Sequence, residues 1–218
     1  MTIGEIAKEF DILSSQVRYY TRLGLLNEAS RTRGRYRLYG KEKTIKQLGE
    51  ILRLKREGAS LGDIKARLTG KEKPAEAKIP KELISKEALD LFKAYPIKFA
   101  YLFGSYARND VGPMSDIDIA IYLDDEIDEN KRFDIRLELI GKVGRLLKTE
   151  KLDLIILNDV DIALAYQVVY DGKIIYCKDE LKRIRFEART MSQYFDQQYY
   201  YRRHAKMTID RIAAEGIL

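Results

Sequence analysis

Residues 69–80, TGKEKPAEAKIP, contain one glycine, two prolines and a scatter of lysine and glutamate, with almost nothing that a core would accept. Proline cannot continue a helix or a central strand without losing a backbone hydrogen bond. No regular element is therefore expected to cross this stretch, and the 218 residues divide into two folding units. The expected organisation is a first unit at 1–70, a linker at 71–82, a second unit at 83–178 and a C-terminal segment at 179–218.

Charge follows the same division. Residues 1–73 carry 17 Lys and Arg against 9 Asp and Glu, a net of +8, whereas residues 74–218 carry 23 against 25, a net of −2. The basic excess lies wholly in the first third, as expected if that part meets a polyanion. The apolar share of 45% is that of a globular chain, which excludes wholesale disorder. The single cysteine, Cys177, cannot form an internal disulfide, no cleavable apolar leader opens the sequence, and apolar runs such as Leu152–Leu157 are too short to span a bilayer. A cytoplasmic protein without membrane contact is the expectation. One histidine, His204, also rules out imidazole-rich zinc sites, so any metal should be a hard cation held by carboxylate oxygens.

In the first unit, TIGEIAKEF, SSQVRYYTRLG and KEKTIKQLGEILRLKREG read as three helices, with Ile3, Ile6, Ala7 and Phe10 on one face. Ser14 is the expected N-cap of the second and Gly24 its end, while Ser60 and Asp63 form a capping box for LGDIKARL. Between the second and third helices, Arg31–Tyr39 reads as a two-stranded ribbon turning at Gly34, with arginines at 31, 33, 35 and 37 aligned along one side. Helix-turn-helix, basic ribbon and further helix make a winged-helix plan. Guanidinium groups suit phosphate oxygens, so the ribbon is expected to lie along a duplex backbone.

In the second unit strands and helices alternate, which indicates a mixed α/β layer. IKFAYLF, SDIDIAIYL, KLDLIIL and KIIYC read as strands; ISKEALDLFKAY, NKRFDIRLELIGKVGRLLK and VDIALAYQVVY read as helices. Glu180 to about Ala214 reads as one long polar helix. On a strand, residues two apart share a face, so Asp116 and Asp118 point together while Ile117, Ile119 and Ile121 point oppositely. Two such carboxylates repel unless a cation or proton lies between them. On these residues alone, solvated acids at a strand end and a metal site both remain open. The neighbours favour the second reading. Gly104-Ser105 closes the preceding strand and opens a helix through Arg108, a place where glycine lets a phosphate approach free N–H groups. Asp153 adds a third acid within an apolar strand.

Gly104-Ser105, ten intervening residues, Asp116-x-Asp118 and a later strand Asp153 resemble the DNA-polymerase-β-type nucleotidyltransferase superfamily. More narrowly, YLFGSYARNDVGPMSDIDIAI is similar to the minimal nucleotidyltransferases (MNT) that are paired with HEPN-domain toxins. That resemblance implies a polymerase-β-like fold with a mixed sheet and a long C-terminal helix. It also implies two Mg²⁺ ions held by Asp116, Asp118 and Asp153, ATP as substrate with its β- and γ-phosphates on Gly104 and Ser105, and Asp153 activating the attacking hydroxyl. Arg108 would reach phosphate or stand exposed in an ion pair. Asn109 replaces the usual glycine there and is the residue that best tolerates the positive φ required.

Residues 2–68 resemble the DNA-binding domain of MerR-type regulators. The resemblance implies that the helix from Ser14 to Arg22 enters the major groove of double-stranded operator DNA, that Ser15, Gln16, Arg18 and Tyr19 face it, and that Arg35, Tyr36 and Arg37 form the wing. The expected class is thus α+β: a winged helix-turn-helix followed by a nucleotidyltransferase. The expected function is an antitoxin that transfers AMP to a hydroxyl, tyrosine foremost, of a HEPN toxin partner while repressing its own operon. Two alternatives stay open: a regulator that only senses nucleotide, and a transferase for a small molecule such as an antibiotic. Leu181, Ile184, Ala188, Met191, Phe195, Ala205, Ile209 and Ile212 fall on a 3-4 spacing that would serve a homodimer or packing within the chain. YFDQQYYYRR is expected either to contact a partner protein or to pack within the core.

Overall fold

The structure is a computed structural model that describes all residues except 33, 35, 71–78, 113–114 and 216–218; the side chains of 199–207 and 210–215 also lie outside it. In the first unit, α1 (Ile3–Glu9) and α2 (Ser14–Arg22) precede a short antiparallel pair, β1 (Ser30–Arg31) and β2 (Arg37–Leu38), and then α3 (Lys41–Arg56) and α4 (Leu61–Leu68). The caps explain the boundaries. Thr2 and Glu5 form a capping box on α1, and Ser60 and Asp63 form the expected one on α4. At α2 the expectation is corrected: Ser14 is the first helical residue, and the cap at Leu13 is made by Gln16, whose Oε1 accepts the Leu13 N–H at 2.9 Å. Gly24, at φ +77°, turns the chain out of the helix as read.

The second unit opens with a 3₁₀ turn at Lys81–Ile84 and α5 (Lys86–Lys93), followed by β3 (Ile97–Phe103), α6 (Gly104–Arg108), β4 (Ile117–Leu123) and α7 (Glu129–Leu147). β5 (Leu152–Ile156), α8 (Ile162–Asp171), β6 (Lys173–Cys177) and α9 (Glu180–Glu215) complete it. The four strands form a mixed sheet in the order β5-β4-β3-β6, parallel only between β4 and β5. Strand alternation sorts its faces. Ala100, Leu102, Ile117, Ile119, Ile121 and Leu154 pack in a core with Phe92, Leu139 and Val143 of α5 and α7. Phe99, Tyr101, Phe103 and Ala120 pack on the other side with Val168 of α8 and against Phe186 of α9. Asp118 and Asp153 alternate with the first set, so they share the second face.

The two units are joined by a continuous core. Val169, Ala188 and Met191 are buried in the same cluster as Val17, Tyr20, Leu48 and Ile51. Ala188 and Met191 of the 3-4 seam on α9 are therefore used within the chain, with Phe195 packed against the same cluster, whereas Leu181 and Ile209 are exposed. Tyr194 and Phe195, expected at a protein-contact face, pack on Tyr166, the first as a stack with centroids 3.6 Å apart. The rest of that stretch, from 199 onward, lies outside the described side chains, as do Ala205 and Ile212. Between the units Lys173 pairs with Asp63, the second member of the α4 capping box. Among the described residues no helix is long and apolar enough to cross a membrane.

Candidate active site and nucleic-acid interface

β3 delivers the chain to Gly104, whose φ of +69° lets it turn directly into α6. The same residue lies against a carboxylate: a Cβ at position 104 would fall 1.8 Å from Asp118 Oδ2. Glycine is thus required twice over, by backbone conformation and by space. α6 ends at Asn109, which adopts the left-handed conformation (φ +58°) that its identity anticipated.

Strand register gathers the acids. Asp118 pairs with Phe103 across β3–β4 and with Asp153 across the parallel β4–β5 ladder. Neighbouring strands lie about 4.8 Å apart, so these two side chains are adjacent on one face. Asp116 stands exposed just before β4. The Asp118 carboxyl is half-buried and held above the usual aspartate range, first by loss of solvent, then by the charges of Asp153 and Asp116, with Arg108 opposing. Both other acids therefore act electrostatically on Asp118.

Asp153 is exposed, and Arg136 of α7, missed in the sequence, reaches it at 3.4 Å while donating from Nε to the Leu154 carbonyl oxygen at 2.5 Å. Among the described residues no three Asp, Glu, His or Cys side chains converge closely enough to enclose a metal. The donor set nevertheless suits a hard divalent cation. It is all carboxylate oxygen, and the loss of solvent and neighbouring negative charges that raise Asp118 are what a cation would relieve. The Arg136–Asp153 pair is exposed on both sides, and such pairs hold weakly. Arg108 is exposed at the end of α6 and its charge is felt by both Asp118 and Asp171, the last residue of α8. Ser105 occupies the second position of α6 and is half-buried.

On the nucleic-acid side the placement is split. Arg18 is exposed and Ser15 half-buried on α2, and Tyr36 at the wing is 74% exposed. Arg37 pairs with Glu28 at 3.0 Å, and Arg31 with the same carboxylate. Arg35 lies outside the described residues. Gln16 and Tyr19 do not face outward: they are 5% and 2% exposed, the first engaged in capping α2, the second packed on Tyr20 with Glu187 of α9 nearby. α9 packs along α2 and takes the side of it that Tyr19 occupies. The outward row on α2 is Ser15, Arg18 and Arg22, spaced 3 and 4. Arg22 was not singled out in the sequence; here it meets Asp196 at 3.2 Å and lies over Phe195.

Residues 86–181 match the family model "Polymerase beta, Nucleotidyltransferase", and residues 1–71 match "MerR HTH family regulatory protein". Over 62 residues the chain is 39% identical to the mercuric resistance operon regulatory protein of Bacillus cereus, covering 28% of this chain and 46% of that protein. Over 98 residues it is 33% identical to the protein adenylyltransferase MntA of Shewanella oneidensis, covering 45% of this chain and 66% of the relative. The chain thus spans about half of the first of these relatives and just under two thirds of the second. A solved complex of tri-AMPylated Shewanella oneidensis HEPN toxin with MNT antitoxin aligns at 26% identity over 60% of this chain and 99% of that one, with a TM-score of 0.45. Residues 1–71 are thus similar to MerR-type helix-turn-helix regulators, and residues 86–181 to polymerase-β-type nucleotidyltransferases.

Proposed function

We propose that this protein is an antitoxin that transfers AMP from ATP to a hydroxyl, a tyrosine foremost, of a HEPN-type toxin, and that its first 70 residues bind the operator of its own operon. The observation that carries the reading is the juxtaposition of Gly104 with Asp118, and of Asp118 with Asp153, at one end of the sheet. The similarity to a protein adenylyltransferase supports AMP as the group transferred and protein as its acceptor. Asp116, Asp118 and Asp153 would hold two Mg²⁺ ions, which when bound neutralise the attacking and leaving oxygens of an in-line displacement. Gly104 and Ser105 would take the β- and γ-phosphates on backbone N–H and hydroxyl donors, with Arg108 at their edge. Asp153 would accept the acceptor hydroxyl's proton, once released from Arg136.

The test is incubation of the purified protein with the HEPN product of the neighbouring gene, α-labelled ATP and Mg²⁺. Label should pass to the partner and be lost with Asp116→Asn or Asp118→Asn; absence of transfer to any neighbouring gene product overturns the enzymatic half. The Arg136–Asp153 pair favours one second reading, a regulator that binds nucleotide without turnover. Under that reading ATP changes operator affinity, no label is transferred, and Arg136→Ala does not create transfer.

A further inference from the structure

Charge does not balance at the junction of the two units. Glu187 of α9 is 1% exposed, and its Oε1 accepts from Tyr101 Oη at 2.8 Å, from Arg183 Nη1 at 2.5 Å and from Lys55 Nζ at 3.4 Å. One buried carboxylate thus serves two cations. Glu180, 3.3 Å from Arg183 Nη2, is 72% exposed in its side chain and compensates little. Burial lowers the Lys55 ammonium below the usual lysine range, against Glu187 and with Arg183 adding repulsion. Arg183, only 9% exposed in its side chain, also lies against the Cys177 thiol. A buried carboxylate normally answers one cation, so two cations on Glu187 leave positive charge that a further anion would offset.

A cavity of about 380 Å³ opens beside this cluster, between α1, α2 and α3 of the first unit and α9 of the second. Lys55, Arg183 and the exposed Arg56 line it together with Glu180 and Glu187. Its remaining walls are mostly apolar: Phe10, Ile12, Tyr20, Leu52 and Ile184. The volume is that of a small-ligand site, and the combination of apolar wall with a few convergent charges is what such sites use for orientation. Inorganic phosphate would leave the apolar wall unfilled, and a neutral hydrocarbon would leave the second cation without a counter-charge.

We propose that this cavity binds a small organic monoanion with a hydrophobic body, its acid group held by Lys55 and Arg183 and its body lying on Phe10, Ile12 and Leu52. Gln16 and Tyr20 of α2 form part of the wall, so an occupant touches the helix that carries Arg18. The site is separate from the aspartates and does not rest on the function proposed above.

The probe is 1-anilinonaphthalene-8-sulfonate, an aromatic monoanion whose fluorescence reports transfer to an apolar site, compared with N-phenyl-1-naphthylamine, the same body without the sulfonate. The expected result is saturable binding of the sulfonate at one site per chain, about tenfold or more tighter than the amine. Leu52→Trp, which fills the cavity, should abolish it. Lys55→Met should bring the sulfonate's affinity down to the amine's without weakening the amine. Non-saturating fluorescence, equal affinity of the two probes for the unaltered protein, or full binding by Leu52→Trp overturns the site. The two-probe comparison needs no variant, so it decides the matter even if Lys55→Met fails to fold.

Discussion

Substituting Gly104 by alanine isolates the contact on which the active-site reading depends. The added Cβ would lie 1.8 Å from Asp118 Oδ2, well inside any permitted separation, and the backbone there has φ +69°. A left-handed conformation costs a non-glycine residue about 1–2 kcal/mol, and driving the Asp118 side chain off its rotamer adds about 1 kcal/mol. A total of about 2–3 kcal/mol corresponds to a fall in melting temperature of roughly 5–10 °C in a chain of this size. Catalysis should suffer more than stability, since a reacting group displaced by about 1 Å can cost on the order of 100-fold in rate. The assay is AMP transfer to the HEPN partner well below the melting temperature, with the folded fraction checked by circular dichroism. A folded Gly104→Ala protein that transfers within about threefold of the original rate, a difference under about 1 kcal/mol, would show that the Gly104–Asp118 contact is not part of the active site.

Asn109→Gly should leave folding and transfer nearly unchanged, whereas Asn109→Val, a β-branched residue at φ +58°, should lose about 1–2 kcal/mol in a denaturant melt. Because the Asp118 carboxyl is raised, the folded state keeps its proton to higher pH than the unfolded chain does. The group thus favours folding below the ordinary aspartate value near 4, and that contribution is lost as pH rises through the folded value. Asp118→Asn should accordingly melt higher than the original protein at neutral pH, and Mg²⁺ should narrow the gap by stabilising the original only. Glu187→Gln leaves Lys55 and Arg183 buried without their counter-charge and should destabilise by about 3–5 kcal/mol in urea. Arg18→Ala should reduce the steepness of the salt dependence of operator binding by about one phosphate contact, measured by fluorescence anisotropy across salt concentrations.

What could be read in advance was whatever short-range chemistry decides. The Ser60–Asp63 box, the turn at Gly24, the left-handed Asn109 and the alternation of Ile117, Asp118 and Ile119 all follow from local stereochemistry, and each stands where the sequence placed it. Asp153 could be paired with Asp118 only by resemblance; the parallel β4–β5 register then supplies the physical reason. Tyr19 and Gln16 read as outward from the MerR resemblance alone. α9, some 170 positions later, covers their side of α2, and no periodicity within α2 encodes such a partner. Arg136 was invisible for the same reason, since its role depends on where α7 crosses the edge of the sheet. The Lys55–Glu187–Arg183 cluster joins α3 to a helix more than 120 residues later, a pairing that no local pattern encodes.

Three aspartates and Gly104 together should create a metal and nucleotide site. Electron paramagnetic resonance of Mn²⁺ in the presence of a non-hydrolysable ATP analogue counts the ions bound per chain. Two protein-dependent Mn²⁺ ions in the original, reduced to at most the one carried by the nucleotide in Asp118→Asn, is the predicted result. Identical spectra for the two proteins, or no Mn²⁺ signal beyond that of the free nucleotide complex, would contradict it.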